Sequence, residues 1–376
     1  MIPDPSVPGA PGPVEASRVA IVSDAEPERN GVGAYYADLV DHLRERVGEV
    51  AVLAPGRDDT LRGVSFPLPG DATQTLTFPN PMAVRRRLQA LRPHAVIVPT
   101  PGPWGLLGAR LAAGQGARLV VGFHTHYERL ADLYWRTALG MIPRSYMRIA
   151  NGFLFERGQV VLANSHAMAD AARALGARAV QLMGTPIPRG FLETPPAPLA
   201  GPIRRVLFAG RLAPEKNVAA VMDAARARPD IAFTIAGDGP ERAALEAQAA
   251  DLANVTLPGW TPRARLPGLM DAHDALVLPS HVESLGTIAL EALARGRTVL
   301  VSTHCGITEW PMLDRALFRI GDGETLAEAL TRVASLDAAI RRRKAELGAE
   351  GAREMNAAAI RGWLDVLAAP VAATQA

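Results

Sequence analysis

Short apolar runs alternate with longer amphipathic stretches through the first half of the chain. Each run is rich in Val, Leu, Ile and Ala, and ends in glycine or in polar residues. Continuous apolar runs are typical of strands buried on both faces of a parallel sheet, with helices as the connections between them. The predicted strands lie at 18–23, 50–53, 95–98, 118–122, 160–163 and 179–182.

A proline-rich segment, Thr-Pro-Pro-Ala-Pro-Leu-Ala-Gly at 194–201, interrupts this alternation. Its composition is that of an exposed, semi-rigid linker. After it, helical periodicity from about 325 to 367 closes the chain, and this segment is long enough to cross back onto the first half. Between the linker and that segment the strand pattern restarts, with predicted strands at 205–210, 232–236, 255–257, 275–278 and 298–301.

The chain is therefore predicted to be an α/β protein of two domains, because 376 residues exceed the size at which a single core keeps growing. We expect two Rossmann-like doubly wound domains that face each other across a cleft, with ligand loops after the strands. The expected parts are a disordered lead-in at 1–17, a first domain at 18–193, a linker at 194–202, a second domain at 203–352, and a helix at 353–376 that returns to the first domain.

Charge and cysteine content narrow the function classes. The chain has 40 basic and 38 acidic residues, and a formal charge of +2 is too small to indicate a nucleic-acid partner. A single cysteine, Cys305, excludes an intramolecular disulfide framework and suits a reducing compartment, so we expect a cytoplasmic protein. The sequence contains no run of about 18 apolar residues, so no membrane-spanning helix is predicted. Attachment to a membrane surface stays open.

In the first domain, two groups of residues follow predicted strands and are candidates for ligand contact. Asn30, Gly31 and Gly33 precede a helix predicted to begin at Ala34, where glycine lets a ligand approach the backbone and the helix N-terminus attracts an anion. A plain tight turn explains the same glycines. His124 comes directly after a strand and can meet a ligand there, although packed histidines are also common at such positions.

In the second domain, positive charge follows the first strand. Arg211 and Lys216 lie in the loop after Gly210, and Lys216 is one of only two lysines in the chain. Fixed cations at a sheet edge suit a diphosphate group, whereas a solvated loop is the alternative. After the next strand, Gly237 opens a Gly-Asp-Gly-Pro turn that we expect to shape the cleft.

Two glutamates separated by seven residues, Glu283 and Glu291, are the most specific feature. Between them, the N–H groups of Leu285 to Ile288 are predicted to stand at a helix N-terminus, where the helix dipole favours a phosphate. Glu283 would then face sugar hydroxyls, and Glu291 a ribose. The alternative is that Glu283 caps the helix and Glu291 is an exposed helical carboxylate.

Taken together, these motifs resemble glycosyltransferase family 4, the retaining GT-B glycosyltransferases. The resemblance covers most of 18–368 and implies transfer of a hexosyl group from a UDP- or GDP-linked sugar, with retention and with neither a metal nor another cofactor. The motifs that carry it are Phe208-Ala-Gly-Arg-Leu, Glu215-Lys-Asn, Gly237-Asp-Gly-Pro, Glu283-Ser-Leu-Gly to Glu291-Ala, Asn30-Gly-Val-Gly33 and Phe123-His-Thr.

The resemblance also implies a role for each site residue. The catalytic set would be His124 against the transferred sugar, Glu283 in contact with it, and Arg211 and Lys216 on the departing diphosphate. Glu291 would bind the ribose. The remaining donor contacts would come from Asn30, Gly31, Gly33, Gly210, Gly237, Leu285, Gly286, Thr287 and Ile288.

Three departures from the family pattern leave the donor sugar and base open. The segment Thr303-His-Cys-Gly-Ile-Thr-Glu309 replaces a loop with two adjacent glycines, Leu285 stands where Phe is common, and 184–191 lacks a frequent Asp.

The acceptor is a lipid or a glycan that the motifs do not identify. Arg85, Arg86 and Arg87 lie on a basic amphipathic helix that could contact the inner face of an anionic membrane, although a solvated helix face explains them as well. The Phe-His-Thr-His sequence at 123–126 is similar to that of transferases making glycolipids. A nucleotide-sugar epimerase of GT-B shape and a catalytically silent sugar-nucleotide-binding subunit are the alternatives.

Overall fold

The structure is a computed structural model that describes residues 14–26, 31–68, 71–125, 141–199 and 201–369. It contains two six-stranded sheets, one in each half of the chain, and every pairing within them is parallel. Helices flank each sheet. Asn30 and His126 lie outside the described residues.

The first sheet has the strand order β2-β1-β5-β6-β7-β8. Its strands are β1 (Arg18–Val22), β2 (Glu49–Leu53), β5 (Ala95–Val98), β6 (Arg118–Phe123), β7 (Val160–Ala163) and β8 (Val180–Leu182). The flanking helices are α1 (Gly31–Leu43), α2 (Pro81–Leu91), α3 (Pro103–Ala113), α4 (Met141–Arg157), α5 (His166–Ala174) and α6 (Arg189–Leu192). Strands β5 and β7 are buried along their whole length, as their continuous apolar runs predict.

An antiparallel hairpin that the sequence pattern does not predict stands beside this sheet, formed by β3 (Arg62–Leu68) and β4 (Asp71–Pro79). Its polar side faces inward: Thr77 is buried, and its carbonyl accepts a hydrogen bond from the indole N–H of Trp104 at 2.9 Å. Its apolar side faces outward, with Val64, Phe66 and Phe78 exposed. The usual inside–outside alternation is therefore reversed here.

The second sheet has the strand order β11-β10-β9-β12-β13-β14. Its strands are β9 (Arg205–Ala209), β10 (Ala232–Ala236), β11 (Val255–Gly259), β12 (Ala275–Leu278), β13 (Thr298–Ser302) and β14 (Phe318–Ile320). Its helices are α7 (Val218–Ala227), α8 (Arg242–Ala249), α9 (Leu266–Asp271), α10 (Thr287–Ala294), α11 (Pro311–Asp314), α12 (Leu326–Ala334) and α13 (Ala338–Ala368).

The last helix, α13, joins the two domains. Its first half packs on the second domain, where Ala352 and Met355 belong to that core. Its second half packs on the first domain, where Trp363 is fully buried and donates a hydrogen bond to the hydroxyl of Tyr35 at 2.8 Å. Residues 353–368 thus continue one helix that begins at Ala338, and 370–376 of the predicted segment lie outside the described residues.

Two ends of predicted segments differ from the expectation. The lead-in predicted as disordered at 1–17 includes a 3-10 turn at Val14–Ala16, closed by a hydrogen bond from the Ser17 N–H to the Val14 carbonyl at 2.9 Å. Val14 packs against the first-domain core, which explains the order. Helix α1 begins at Gly31 and not at Ala34, so both glycines lie in its first turn.

Candidate active site

Each sheet has a point where the strand order reverses, and the predicted site residues of the second domain gather at one of these. The chain leaves β9 in one direction for β10 and β11, and in the other for β12 and β13. Ligands of open α/β sheets bind outside the carboxyl ends of the strands at such a point. Arg211 and Lys216 follow β9, and Glu283 follows β12.

Lys216 and Glu283 meet across this reversal. The ammonium group of Lys216 lies 2.5 Å from Oε2 of Glu283, and both side chains are largely buried. Burial alone would lower the pKa of Lys216, but the Glu283 carboxylate outweighs it and leaves that pKa raised. Lys216 therefore keeps its positive charge at neutral pH. Its position is fixed because the carbonyl of Glu215 accepts the backbone N–H of His281 at 2.8 Å.

Arg211 adds a second cation at this edge. Its guanidinium lies 3.4 Å from Oε1 of Glu215, and its side chain is about one-third exposed. The acidic partner is itself buried. Arg211 and Lys216 each contact a glutamate side chain, Glu215 and Glu283, so both cations are in position before a diphosphate binds. They can therefore neutralise its charge without rearranging.

The glycines in the loops after β9 and β10 let these loops touch. Gly237 has φ +149°, and a Cβ placed there would lie 1.8 Å from the carbonyl oxygen of Gly210. The backbone of Gly210 is bonded in turn to the carbonyl of Ala236 at 3.0 Å. Any side chain at 237 would separate the two loops, so this glycine shapes the edge where the cations stand.

Helix α10 points its N-terminus at the same edge. Gly286 is the residue before the helix, with φ +98° and no side-chain cap, so Glu283 does not cap the helix. The first N–H groups of a helix have no partner within it, and here Thr287 and Ile288 supply them from a partly exposed position. Leu285 is buried in the core and can offer only its backbone. The arrangement suits an anion.

Glu291, one turn further along α10, is buried and not the exposed carboxylate of the alternative interpretation. Its Oε1 accepts a hydrogen bond from Nη2 of Arg263 at 2.6 Å. The same guanidinium binds Asp38 on α1 of the first domain. The sequence did not single out Asp38 or Arg263; the only available signal was the place of Arg263, just after β11, at the same sheet edge.

His124 stands at the end of β6 in the first domain, where it is partly buried among aromatic rings. Its Nε2 lies 2.8 Å from the hydroxyl of Tyr36, and its ring centroid is 4.6 Å from that of Tyr35. Burial lowers the pKa of His124 to about 4, so the imidazole is neutral at pH 7. Gly122 makes room for this arrangement, since a Cβ there would lie 2.2 Å from the Tyr36 hydroxyl.

The two domains meet at a small cleft beside Glu283. One wall includes Ser165 and Met168, and the other includes Glu283, Ser284 and His304. A carboxylate crosses the boundary here: Oε2 of Glu309 accepts hydrogen bonds from the backbone N–H groups of His166 and Ala167, at the start of α5. The neighbouring Trp310 donates its indole N–H to the carbonyl of Asn164 at 2.9 Å.

Comparison with known families explains this arrangement. The family described as Glycosyltransferase Family 4 matches residues 29–188, and the family described as Glycosyl transferases group 1 matches residues 198–350. Both domains are covered. The chain belongs to glycosyltransferase family 4.

Individual glycosyltransferases are similar to parts of the chain. A GDP-mannose-dependent alpha-mannosyltransferase of Mycolicibacterium smegmatis is 29% identical over 308 residues, which are 75% of this chain and 79% of that protein. LpsE, a lipopolysaccharide core biosynthesis glycosyltransferase of Rhizobium meliloti, is 33% identical over 171 residues, which are 44% of this chain and 47% of LpsE. This family 4 chain spans about a quarter to a half of the length of several such relatives.

The solved structures identify the fold. Anabaena HepE, in a complex with UDP and glucose, matches 94% of this chain and 100% of its own with a TM-score of 0.69 at 18% identity. The predicted GT-B fold, with two Rossmann-like domains facing across a cleft, is confirmed. At the second-domain edge the structure brings together Gly210, Arg211, Lys216, Gly237, Glu283, Gly286, Thr287 and Ile288. In the first domain, His124 stands at the end of β6, and Gly31 and Gly33 lie in the first turn of α1.

Proposed function

We propose that this chain is a retaining glycosyltransferase that moves a hexosyl group from a nucleotide diphosphate sugar to an acceptor. The observation that carries the proposal is the Lys216–Glu283 pair at the second-sheet reversal, 2.5 Å apart and beside the N-terminus of α10. A diphosphate leaving group needs positive charge and free N–H groups where its own charge develops, and this edge supplies both. UDP and GDP fit the arrangement equally.

In the proposed reaction, Arg211 and Lys216 hold the departing diphosphate with the N–H groups of Thr287 and Ile288. Glu283 accepts hydrogen bonds from hydroxyls of the transferred sugar, and its pairing with Lys216 fixes its orientation. His124, neutral and held by Tyr36, contacts the same sugar from the first domain. Each group acts by position and charge, so the proposal assigns no role to a metal or another cofactor.

Two pairs of variants test this assignment by measuring nucleoside diphosphate release from a panel of UDP- and GDP-sugars. Lys216→Ala should reduce turnover by about 100-fold or more, the scale of losing one preorganised contact to developing charge, whereas Lys344→Ala, at the only other lysine, should not. Glu283→Gln should have a similar effect, with the exposed Glu246→Gln as its control. Wild-type turnover in folded Lys216→Ala or Glu283→Gln protein would refute the site.

The fate of the sugar separates the proposal from its alternatives. Retention means that the anomeric carbon of the transferred sugar keeps the configuration it has in the donor, which the coupling of the anomeric proton in the NMR spectrum of the product reports. Conversion of the donor sugar without an acceptor would indicate an epimerase. Donor binding without any turnover would indicate a silent subunit.

We further propose that the acceptor is a lipid-linked precursor met at an anionic membrane surface. Arg85, Arg86 and Arg87 are exposed on α2, and α2 directly follows the hairpin whose outward face exposes Phe66 and Phe78. Basic and apolar side chains together suit an anionic bilayer surface. The similarity to LpsE, named for lipopolysaccharide core biosynthesis, supports a glycolipid acceptor. No helix in the described ranges is long and apolar enough to cross a bilayer.

Vesicle co-sedimentation tests the membrane contact. The protein should sediment with phosphatidylglycerol vesicles and less with phosphatidylcholine vesicles, and replacing the three α2 arginines by Gln should weaken this at least several-fold. Equal sedimentation with both lipids, or no effect of the substitutions, would contradict the contact.

A further inference from the structure

Three ionisable side chains meet where the two domains touch. Arg263 lies in the 3-10 turn Arg263–Arg265 that follows β11, Glu291 lies on α10, and Asp38 lies on α1 of the first domain. The side chains of Asp38 and Glu291 are 8% and 1% exposed, and that of Arg263 is 22% exposed. Burial raises the pKa of Asp38 to about 7 and also raises the pKa of Glu291, and the Arg263 guanidinium opposes both shifts by favouring the charged carboxylates.

One guanidinium serves both carboxylates. Arg263 binds Asp38 through two nitrogens, with Nε 3.3 Å from Oδ1 and Nη2 on Oδ2. The same Nη2 donates to Oε1 of Glu291 at 2.6 Å. The planar fork of arginine fits this geometry, whereas the single ammonium group of a lysine would not. Because Asp38 comes from the other domain, the arrangement exists only while the domains are in contact.

Glu291 retains one unused acceptor. Its Oε2 is buried and accepts no hydrogen bond from the described residues. A carboxylate oxygen out of water and without a donor is unfavourable, so its presence indicates a site that a ligand hydroxyl completes. The helix N-terminus that would hold a diphosphate lies at Thr287, four residues earlier, a rise of about 6 Å along the helix. The next chemical group of a nucleoside diphosphate after its phosphates is the ribose.

We infer that Arg263 is a positioning residue for the donor nucleoside: held by Asp38 of the first domain, it fixes one oxygen of Glu291 and leaves the other for a ribose hydroxyl. The inference rests on the proposed function, since it takes a nucleoside diphosphate as the ligand. It adds that the first domain contributes to the nucleoside site through a residue that does not touch the ligand. Ribose recognition therefore depends on the contact between the domains.

Nucleoside diphosphates and their 2′- and 3′-deoxy analogues test this with the full chain, by calorimetric binding. In the wild type, loss of the recognised hydroxyl should weaken binding by about 10-fold, because the Glu291 oxygen is left unpaired. Arg263→Gln should weaken binding of the parent nucleotide by about 10-fold and abolish most of the difference between the parent and the deoxy analogue. Asp38→Asn should act in the same direction, and Asp38→Glu should restore part of the loss.

The matched control is Asp41→Asn, one turn further along α1, whose carboxylate pairs with Arg189 and not with Arg263. It should bind both nucleotides like the wild type. In turnover assays, Arg263→Gln should raise the donor KM much more than it lowers kcat, because it removes an interaction made equally in the ground state and the transition state. If Arg263 had only a structural role, Arg263→Gln would weaken binding of the parent nucleotide and of the deoxy analogue by the same factor, and the ratio of their affinities would stay as in the wild type.

The outcomes are distinct. If folded Arg263→Gln protein, or folded Asp38→Asn protein where the first does not fold, keeps the full deoxy penalty, the positioning role is overturned while the proposed function stands. If wild-type protein binds no nucleoside diphosphate, the proposed function fails, and the inference fails with it.

Discussion

His124 is kept as a neutral imidazole by its neighbours. It lies against Tyr35 and hydrogen-bonds with Tyr36, and burial lowers its pKa to about 4. A neutral ring offers one donor and one acceptor nitrogen, and one of these is used by the tyrosine. In the proposed reaction, a neutral His124 contacts the sugar without the desolvation of a cation. The same burial makes the fold sensitive to acid.

His124→Gln should reduce the acid sensitivity of the protein. An unfolded histidine has a pKa near 6.5, so between pH 6.5 and 4 the unfolded chain binds a proton that the folded chain does not. The free energy of unfolding of the wild type therefore falls as the pH drops through this window. Titration of His124 therefore destabilises the wild type by about 2 kcal/mol at pH 5 and by close to zero at pH 8. The variant has no such group and should be free of this acid-dependent loss.

Urea unfolding at pH 5 and pH 8 measures the effect, with His281→Gln, at an exposed histidine, as the control. If the free energy of unfolding falls by the same amount from pH 8 to pH 5 in the wild type and in both variants, burial of His124 does not contribute to the acid sensitivity of the fold.

At the scale of elements, the apolar runs predict all six strands of the first sheet and five of the six described in the second. They miss β14 (Phe318–Ile320), which has only three residues with the exposed Arg319 in the middle. Strands buried on both faces leave an unbroken apolar run, as Ala275–Leu278 illustrates. The hairpin at 62–79 is missed because its apolar residues face outward and its polar residues face inward. A strand is recognised in a sequence by the opposite arrangement, with the apolar residues assumed to be buried. The start of α1 is misplaced because glycine usually ends helices, whereas Gly31 and Gly33 begin this one.

Gly237→Ala should separate the loops after β9 and β10. Its Cβ would lie 1.8 Å from the Gly210 carbonyl oxygen, and φ +149° is unfavourable for alanine. We expect a loss of about 2–4 kcal/mol of unfolding free energy, together with weaker nucleotide binding because Arg211 follows Gly210 directly.

Gly268→Ala is the matched control, since nothing lies within 4 Å of a Cβ there. Thermal unfolding with and without UDP or GDP measures both effects. Equal melting temperatures for the two variants would contradict the contact between the loops.

At the scale of the whole molecule, the site is assembled from residues that only the tertiary structure brings together. The spacing of Glu283 and Glu291 is local and can be recognised along the chain. The meeting of Asp38 with Arg263 joins positions 225 residues apart in two domains, and no local pattern marks it. Helix α13 is a similar case, because its periodicity indicates a helix but not which of its turns packs on which domain.

Trp363→Ala should destabilise the first domain although the residue lies close to the end of the chain. The indole is fully buried, and its N–H is bonded to Tyr35 on α1. Large-to-small changes of buried aromatic residues cost about 3–5 kcal/mol. Trp260→Ala, at a tryptophan that is 52% exposed, is the control and should cost far less. Urea unfolding followed by circular dichroism compares them, and similar midpoints would show that α13 does not support the first domain.

The path of α13 also governs how halves of such enzymes can be exchanged to make hybrids. The obvious junction is the linker at 194–202, whose carbonyls at Thr194 and Pro195 are held by Arg295. A single junction there would graft a foreign last helix onto this first domain and remove Trp363 from Tyr35. A stable hybrid therefore needs a second junction inside α13, between Met355 and Trp363, so that each core keeps its native part of the helix.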